Sequence, residues 1–371
     1  MLMVILAALL KFAAIVLGFV MVLATLLTLI ERKQSALMQN RTGPNRAFVF
    51  GKNPLSAFVG QLIADPVKVL LKETFDPPHA DTWLHRLAPG LAFIPALLMW
   101  VVIPFGPGPV PGAEGDNFFL MADLDAGVLV VFAIASLSVY GSTLGAWASR
   151  SAFSLLGGLR TAAQMVSYEV TLGLNLVGIF MIYGSLNLND IIWAQAGYDA
   201  ATGFQNAYFL GFIPKWGIIT QPFAFIFFLA ASIAETKRAP FDLPEAESEL
   251  AAGYFTEYSS MGFAVFSLGE FIGIVVVAAL GATMFLGGWH IPGLPIELTA
   301  AGQPVIASLA TWLSVAAFLF KVVLLVLLQM TIRWTLPRFR YDQLMHLGWV
   351  YLLPLSLANV AITAFVLFLT R

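Results

Sequence analysis

The hydrophobic positions of this chain come in long, nearly unbroken blocks, not in the alternating or 3.6-residue patterns of half-buried elements. Blocks at 2–30, 88–105, 127–149, 161–183, 216–234, 259–286, 309–332 and 347–370 are each long enough to cross a hydrocarbon core of roughly 30 Å at about 1.5 Å per residue. Lipid offers no partner to backbone N–H and C=O groups, so such runs are expected as helices. The pattern therefore predicts an all-α, polytopic membrane helix bundle of about eight spanning helices, a single transmembrane domain over 1–371. The block at 88–105 is interrupted by Pro89, Pro95 and Pro104, which spanning helices tolerate where neighbours satisfy the freed backbone groups. The first block carries one charge, Lys11, and runs into Glu31-Arg32-Lys33. It is too long for a signal peptide and has its positive charge on the wrong side, so it reads as a retained span.

The polar segments carry the topology. Fifteen of the 19 lysines and arginines fall in odd-numbered loops, and Lys215 alone in the even-numbered loops. The odd loops are thereby expected on the cytoplasmic side, or the matrix side in a mitochondrion, with both termini on the opposite, non-cytoplasmic side. Within the first odd loop, residues 54–73 place Leu55, Phe58, Val59, Leu62, Ile63, Val69 and Leu70 on one side and Lys68, Lys72 and Glu73 towards another. That is an amphipathic helix expected to lie in the membrane interface, with Pro66 permitting a bend. The even loops at 106–126, 184–215 and 287–308 are rich in Gly, Pro and Asn, as translocated loops are, and suggest no function.

Composition agrees and narrows the chemistry. Residues are 59% hydrophobic and 11% charged, with a mean hydropathy of +0.86. A soluble domain carries roughly 25% charged residues. Without cysteine there is no thiolate metal site, no cysteine-ligated cluster and no thiol nucleophile. The four histidines, His79, His85, His290 and His346, have no metal-ligand spacing, and no metal is expected in this chain.

Charge is concentrated in one place. Between two apolar blocks, ETKRAPFDLPEAESELAAGYFTEY holds Glu235, Asp242, Glu245, Glu247, Glu249 and Glu257 against Lys237 and Arg238. A solvated loop is the plain reading of a charge run. Interleaved Pro240-Phe241-Asp242-Leu243-Pro244 and carboxylates in the flanking spans argue for partial burial, in which clustered acids titrate as one coupled group. Glu245 and Glu249, four apart, would share one helical face and repel. Glu169 and Glu270 lie within apolar blocks, where an ionisable group costs at least about 2.5–3.5 kcal/mol and must face protein, water or a partner. Each is read either as a proton-relay acid or as a carboxylic acid held neutral, Glu169 by Tyr168 or Gln164. Lys11 can snorkel to the interface; Lys321 is deeper. Countercharge is available on the same side from Arg333, Arg338 and Arg340, the last beside Asp342, and from ERKQSALMQNRTGPNR.

Those same segments carry a resemblance. ERKQSALMQNRTGPNR, GQLIADPVKVLLKE, AQMVSYEVTLGLNL, ETKRAPFDLPEAESELAAGYFTEY and RFRYDQLMHLGWVYLLP resemble, in order, the signature blocks of the respiratory complex I membrane subunit called H in bacteria and ND1 in mitochondria. The resemblance implies a subunit of proton-pumping NADH:quinone oxidoreductase, inactive alone. It would form much of the quinone-entry chamber and the start of the acidic path towards the pumping subunits. By that resemblance Glu31, Arg32 and Arg41 line the chamber's entrance. Glu235, Arg238, Asp242, Glu245, Glu247 and Glu249 form the loop beneath the quinone headgroup, Glu169 continues the path inward, with Glu270 a further acid of that path, and Arg333 and Arg338 supply countercharge. Quinone is then the substrate. FMN, iron–sulfur clusters and NADH belong to partner subunits, which include the quinone-site subunits of the peripheral arm and adjacent small membrane subunits. No nucleic-acid partner is expected, and even loops longer than in mitochondrial relatives point to a bacterial inner membrane. A related membrane-bound hydrogenase component, a stand-alone ion-coupled transporter and a purely structural anchor stand as alternatives.

Overall fold

A computed structural model describes residues 10–49, 53–108, 111, 119–199, 203–204, 208–209, 213–293 and 309–370; the side chains of residues 54, 55, 199, 203, 204, 208, 209, 213, 247 and 248 are outside that description. Helices dominate. Among the described residues seven are long and apolar enough to cross a membrane: α1 (Leu10–Met38), α3 (Thr82–Val101), α4 (Gly127–Ala148), α5 (Ala152–Tyr183), α10 (Ser260–Phe285), α11 (Leu309–Thr335) and α12 (Tyr341–Thr370). Between them lie α2 (Pro54–Leu71), α6 (Leu188–Gln195), α7 (Gly217–Thr220), α8 (Pro222–Glu235) and α9 (Glu247–Leu250). Two-residue strands form two small antiparallel pairs, β1 (Tyr198–Asp199) with β2 (Gly203–Phe204) and β3 (Tyr208–Phe209) with β4 (Ile213–Pro214). The all-α membrane bundle is as expected.

Several helices outrun the hydropathy blocks, α1 ending at Met38, α3 starting at Thr82 and α12 at Tyr341, and two further differences concern the blocks at 216–234 and 161–183. The block at 216–234 is not one helix, because Gln221 adopts φ −137°, ψ 61° and separates α7 from α8. Pro222 disfavours helical dihedrals at the preceding residue. The Gln221 side chain is also engaged elsewhere, donating to Thr363 Oγ1 (2.7 Å) and accepting from Asn359 Nδ2 (2.8 Å). Helix α5 begins at Ala152, well before the expected 161, because residues 152–160, which Arg160 sets apart from the apolar block, are helical as well. It ends at Gly184, whose φ of +71° suits glycine.

The amphipathic element appears at Pro54–Leu71, with proline at its first position and Pro66 inside the helix. Val59, Ile63, Val67, Leu70 and Leu71 are exposed, as befits an interfacial helix. Its C-terminal end is pinned to α10 by Ser260 Oγ, which donates to Val69 O (3.0 Å) and Lys72 O (2.9 Å). The largest core cluster joins α1, α3, α5, α8, α10 and α11, and includes Trp100, Trp193, Trp289, Phe285 and Phe318, each almost wholly buried.

Candidate functional site

The segment between α8 and α10 is folded inward and not left as a solvated loop. Gln164 on α5 donates from Nε2 to Ala234 O (2.7 Å) and Phe241 O (2.8 Å). Phe241 packs against Tyr168 and Phe339, with ring centroids 6.1 and 5.4 Å apart. Phe339 N donates to Pro240 O (3.2 Å), and Arg338 pairs with Asp242 at 2.6 Å. The acidic segment and the RFRYD segment, which shared only a side of the membrane in the sequence, therefore meet. Gly253 makes the fold possible. Its φ is +56°, and a Cβ there would stand 1.7 Å from Pro244 O.

One carboxylate gathers two guanidiniums. Glu31, near the C-terminal end of α1 and 8% exposed, pairs closely with Arg333 of α11 and lies 3.6 Å from Arg238. Arg238 sits over the Phe271 ring at 4.3 Å and Arg333 over Trp334 at 5.5 Å, so both cations are held between a carboxylate and an aromatic face. Arg238 Nε and Asp242 Oδ1 are buried without a hydrogen-bond partner among the described residues. This cluster forms the polar end of a cavity of about 760 Å³. Its walls come from α1 (Met21, Thr25, Thr28), α2 (Pro66, Val69, Leu70) and α10 (Met261, Phe263, Ala264, Leu268). Arg32 and Arg41 also line it; Arg32 bridges to Asp65 of α2 at 2.6 Å, and Arg41 donates to Gln39 and Ser35.

Behind the arginines lies a second cluster. Lys237 Nζ donates to Tyr254 Oη (2.6 Å) and stands 3.2 Å from Glu270, while the Tyr254 hydroxyl donates to the same carboxylate. Glu270 on α10 and Glu245 on the loop are electrostatic neighbours. The residue surface of Glu245 is partly open, but its carboxyl lies within the protein. That burial, reinforced by Glu270 and opposed by Arg238 and Lys237, pushes the Glu245 carboxyl up to about 8. Burial, and then the same two carboxylates, push the Tyr254 hydroxyl well above its ordinary range. Glu235, Lys237 and Glu270 line a small cavity of about 70 Å³, and Glu235 feels the charge of Glu169.

Glu169 accepts a close hydrogen bond from Ser136 of α4. The partners expected from sequence, Tyr168 and Gln164, are committed elsewhere: Tyr168 donates to Leu344 O (2.7 Å) and Gln164 to the acidic segment. Glu169 is half-buried and flanked by the exposed Val166 and Val170, so it lies at the outer face of the bundle. The acids expected on one helical face also part. Glu249 is exposed and pairs with Arg160 at 2.7 Å, while Glu245 precedes α9 and turns in towards Glu270. The Glu247 side chain lies outside the described residues. Sequence reasoning missed Lys237 and Tyr254 as members of the site; a lysine two positions after Glu235 was the available signal.

Among the described residues no group of His, Cys, Asp and Glu can hold a metal ion. The sequence profile of the NADH dehydrogenase family matches residues 10–364. The chain is 44% identical to the H 1 subunit of the NADH-quinone oxidoreductase of Geobacter metallireducens, over 96% of this chain and 95% of the relative. It is 42% identical to the H subunit of the NADH-quinone oxidoreductase of Protochlamydia amoebophila, over 92% of each chain. It is 44% identical to the same subunit of Thermomicrobium roseum, over 94% of each. These names favour the quinone oxidoreductase over the hydrogenase and transporter alternatives.

Proposed function

Since the chain belongs to the NADH dehydrogenase family, as an H-type membrane subunit of NADH-quinone oxidoreductase and a multi-pass inner-membrane protein, we propose that its large cavity is a quinone-access chamber and that the carboxylate clusters behind it start a proton-coupling path. The observation that carries the proposal is the cavity itself. It has an apolar flank from α1, α2 and α10 and a polar end at Glu31, Arg238 and Arg333. An isoprenoid tail requires such a flank and a headgroup such an end.

Reduction of a quinone to quinol takes up two electrons and two protons. The electrons come from partner subunits that carry flavin and iron–sulfur clusters, and the headgroup ligands proper belong to a neighbouring subunit of the peripheral arm. In this chain, a charge change at the chamber's polar end acts first on Arg238 and Glu31. Glu245 and the Glu270–Lys237–Tyr254 group lie behind them, then Glu235, then Glu169. A unit charge 4 Å away is worth about 4 kcal/mol at an effective dielectric of 20, or roughly three pKa units, enough to move a proton along such a series. Asp242 is held by Arg338 and shapes the loop. Arg32 and Arg41 guard the entrance beside α2. Glu169, at the bundle's outer face, hands the path to an adjacent membrane subunit. The odd loops face the cytoplasm and both termini the other side.

The test is Ala264→Trp in the assembled complex, which puts an indole into the chamber wall. Quinone reduction is expected to fall roughly tenfold or more, about 1.4 kcal/mol in barrier terms, while NADH oxidation by an artificial acceptor is retained. Unaltered quinone kinetics would take the chamber out of the reaction.

A further inference from the structure

Helix α5 carries a stripe of polar side chains that the coupling path does not use. Gln164, Tyr168, Thr171 and Asn175, with Gly178 at the end of the row, lie within about 40° either side of a common line on a helix of 3.6 residues per turn, and they extend about 21 Å along its axis. The stripe is tied at both ends. Gln164 holds Ala234 O at the end of α8, and Gly178 stands where a Cβ would lie 3.2 Å from the Gln221 carboxamide, at the start of α8. Gln221 in turn is bonded to Asn359 and Thr363 of α12. Between the two ties Tyr168 donates to Leu344 O, and beyond it the bonding stops. Thr171 and Asn175 are both 0% exposed, and Thr171 Oγ1, Asn175 Oδ1 and Asn175 Nδ2 have no hydrogen-bond partner among the described residues.

Three features make this gap informative. Both atoms of the Asn175 carboxamide are unpartnered, so exchanging its oxygen and nitrogen repairs nothing. Burial is complete within this chain alone, so a neighbouring protein chain or lipid headgroup cannot reach these atoms. Buried polar side chains in folded proteins are almost always bonded to protein or to ordered water. We propose that Thr171 and Asn175 hold bound water in the membrane interior, a site that joins the hydrogen-bonding groups at the acidic end of α5 to the Gln221–Asn359–Thr363 group at its other end. The ligand is water, and the proposal stands apart from the chamber reading, because it rests on burial and bonding alone.

Two measurements on the intact complex test it. A cryo-EM map sharp enough to show waters is expected to place density within hydrogen-bonding distance of Asn175 Nδ2 or Oδ1 and Thr171 Oγ1. A dry site in which both side chains turn to protein partners overturns the proposal. Hydroxyl-radical footprinting labels side chains next to bound water even when they are buried. Leu172 and Leu176, 1% and 0% exposed, are expected to label above the buried Leu325, and to lose that labelling several-fold in Asn175→Leu. Labelling of both at the Leu325 level in the unmodified complex overturns it without recourse to the variant.

Discussion

Two lysines of this protein are equally buried, at 9% exposure, and are partnered in opposite ways. Lys237 faces the Glu270 carboxylate at 3.2 Å and the Tyr254 hydroxyl. Lys321 donates to three backbone carbonyls, Leu286 O and Gly288 O at 2.8 Å and His290 O at 2.7 Å, and sits 4.5 Å from the Trp216 ring. Both lie against α10, Lys237 near its middle and Lys321 just past its C-terminal end. Carbonyls left over at a helix end attract a cation and never titrate, so the Lys321 group fixes shape. A carboxylate can take up a proton as a carbonyl cannot, so in the proposed coupling path the Lys237 group is the one able to respond when a proton or nearby charge moves. Burial of charge alone does not mark a coupling site; a titratable partner does.

The largest expected effect separates the two lysines most sharply. Lys237→Met removes the cation that balances Glu270 and leaves a buried carboxylate beside Glu245, a loss of about 3–5 kcal/mol. Poor assembly of the complex and loss of quinone reduction are expected, scored by native gel and NADH:quinone assay. Lys321→Met leaves carbonyls unsatisfied at about 1–3 kcal/mol per group. Its complex is expected to melt earlier in a thermal scan, with quinone turnover per assembled complex unchanged. Reduced turnover at normal assembly would move Lys321 into the coupling machinery.

A pH dependence sharpens the comparison from the carboxylate side. Glu245 is raised in the folded protein to about 8, so the folded state binds more protons than the unfolded chain between the ordinary glutamate range and about 8. Stability from this group is full below the ordinary glutamate range and is lost as pH rises through about 8. Glu245→Gln is expected to flatten that decline and to remove an alkaline limb near pH 8 from the quinone-reductase profile. An unchanged profile would leave Glu245 outside the coupled group. The smallest effect is expected at the rim. Arg160→Ala breaks an exposed pair with Glu249 worth about 0–1 kcal/mol, and stability and turnover should stay near the parent's values.

Much of this was legible in the sequence because membrane solvation imposes long apolar runs and forces charged residues into company. Seven of the eight expected spans, the interfacial helix and the need of Glu270 for a partner follow from that rule, while Glu31, Arg238, Glu245 and Arg333 were placed at one site only by the family resemblance. What escaped it were local geometry and pairing. The break at Gln221 depends on a proline and on two partners in α12, far away in sequence. The separation of Glu245 from Glu249 depends on where α9 starts, and Ser136 as the partner of Glu169 depends on the packing of α4 on α5. Lys237 looked like ordinary loop charge until Tyr254 and Glu270 closed on it.

The central claim is that the Glu270–Lys237–Tyr254 group passes on the charge changes of quinone chemistry. It is tested most directly by proton uptake per electron pair in liposomes containing the intact complex with Glu270→Gln, measured beside NADH oxidation by an artificial acceptor. The account predicts a lowered proton stoichiometry or stalled quinone turnover while the artificial-acceptor rate is retained. Parent-level quinone turnover with an unchanged proton stoichiometry would contradict it.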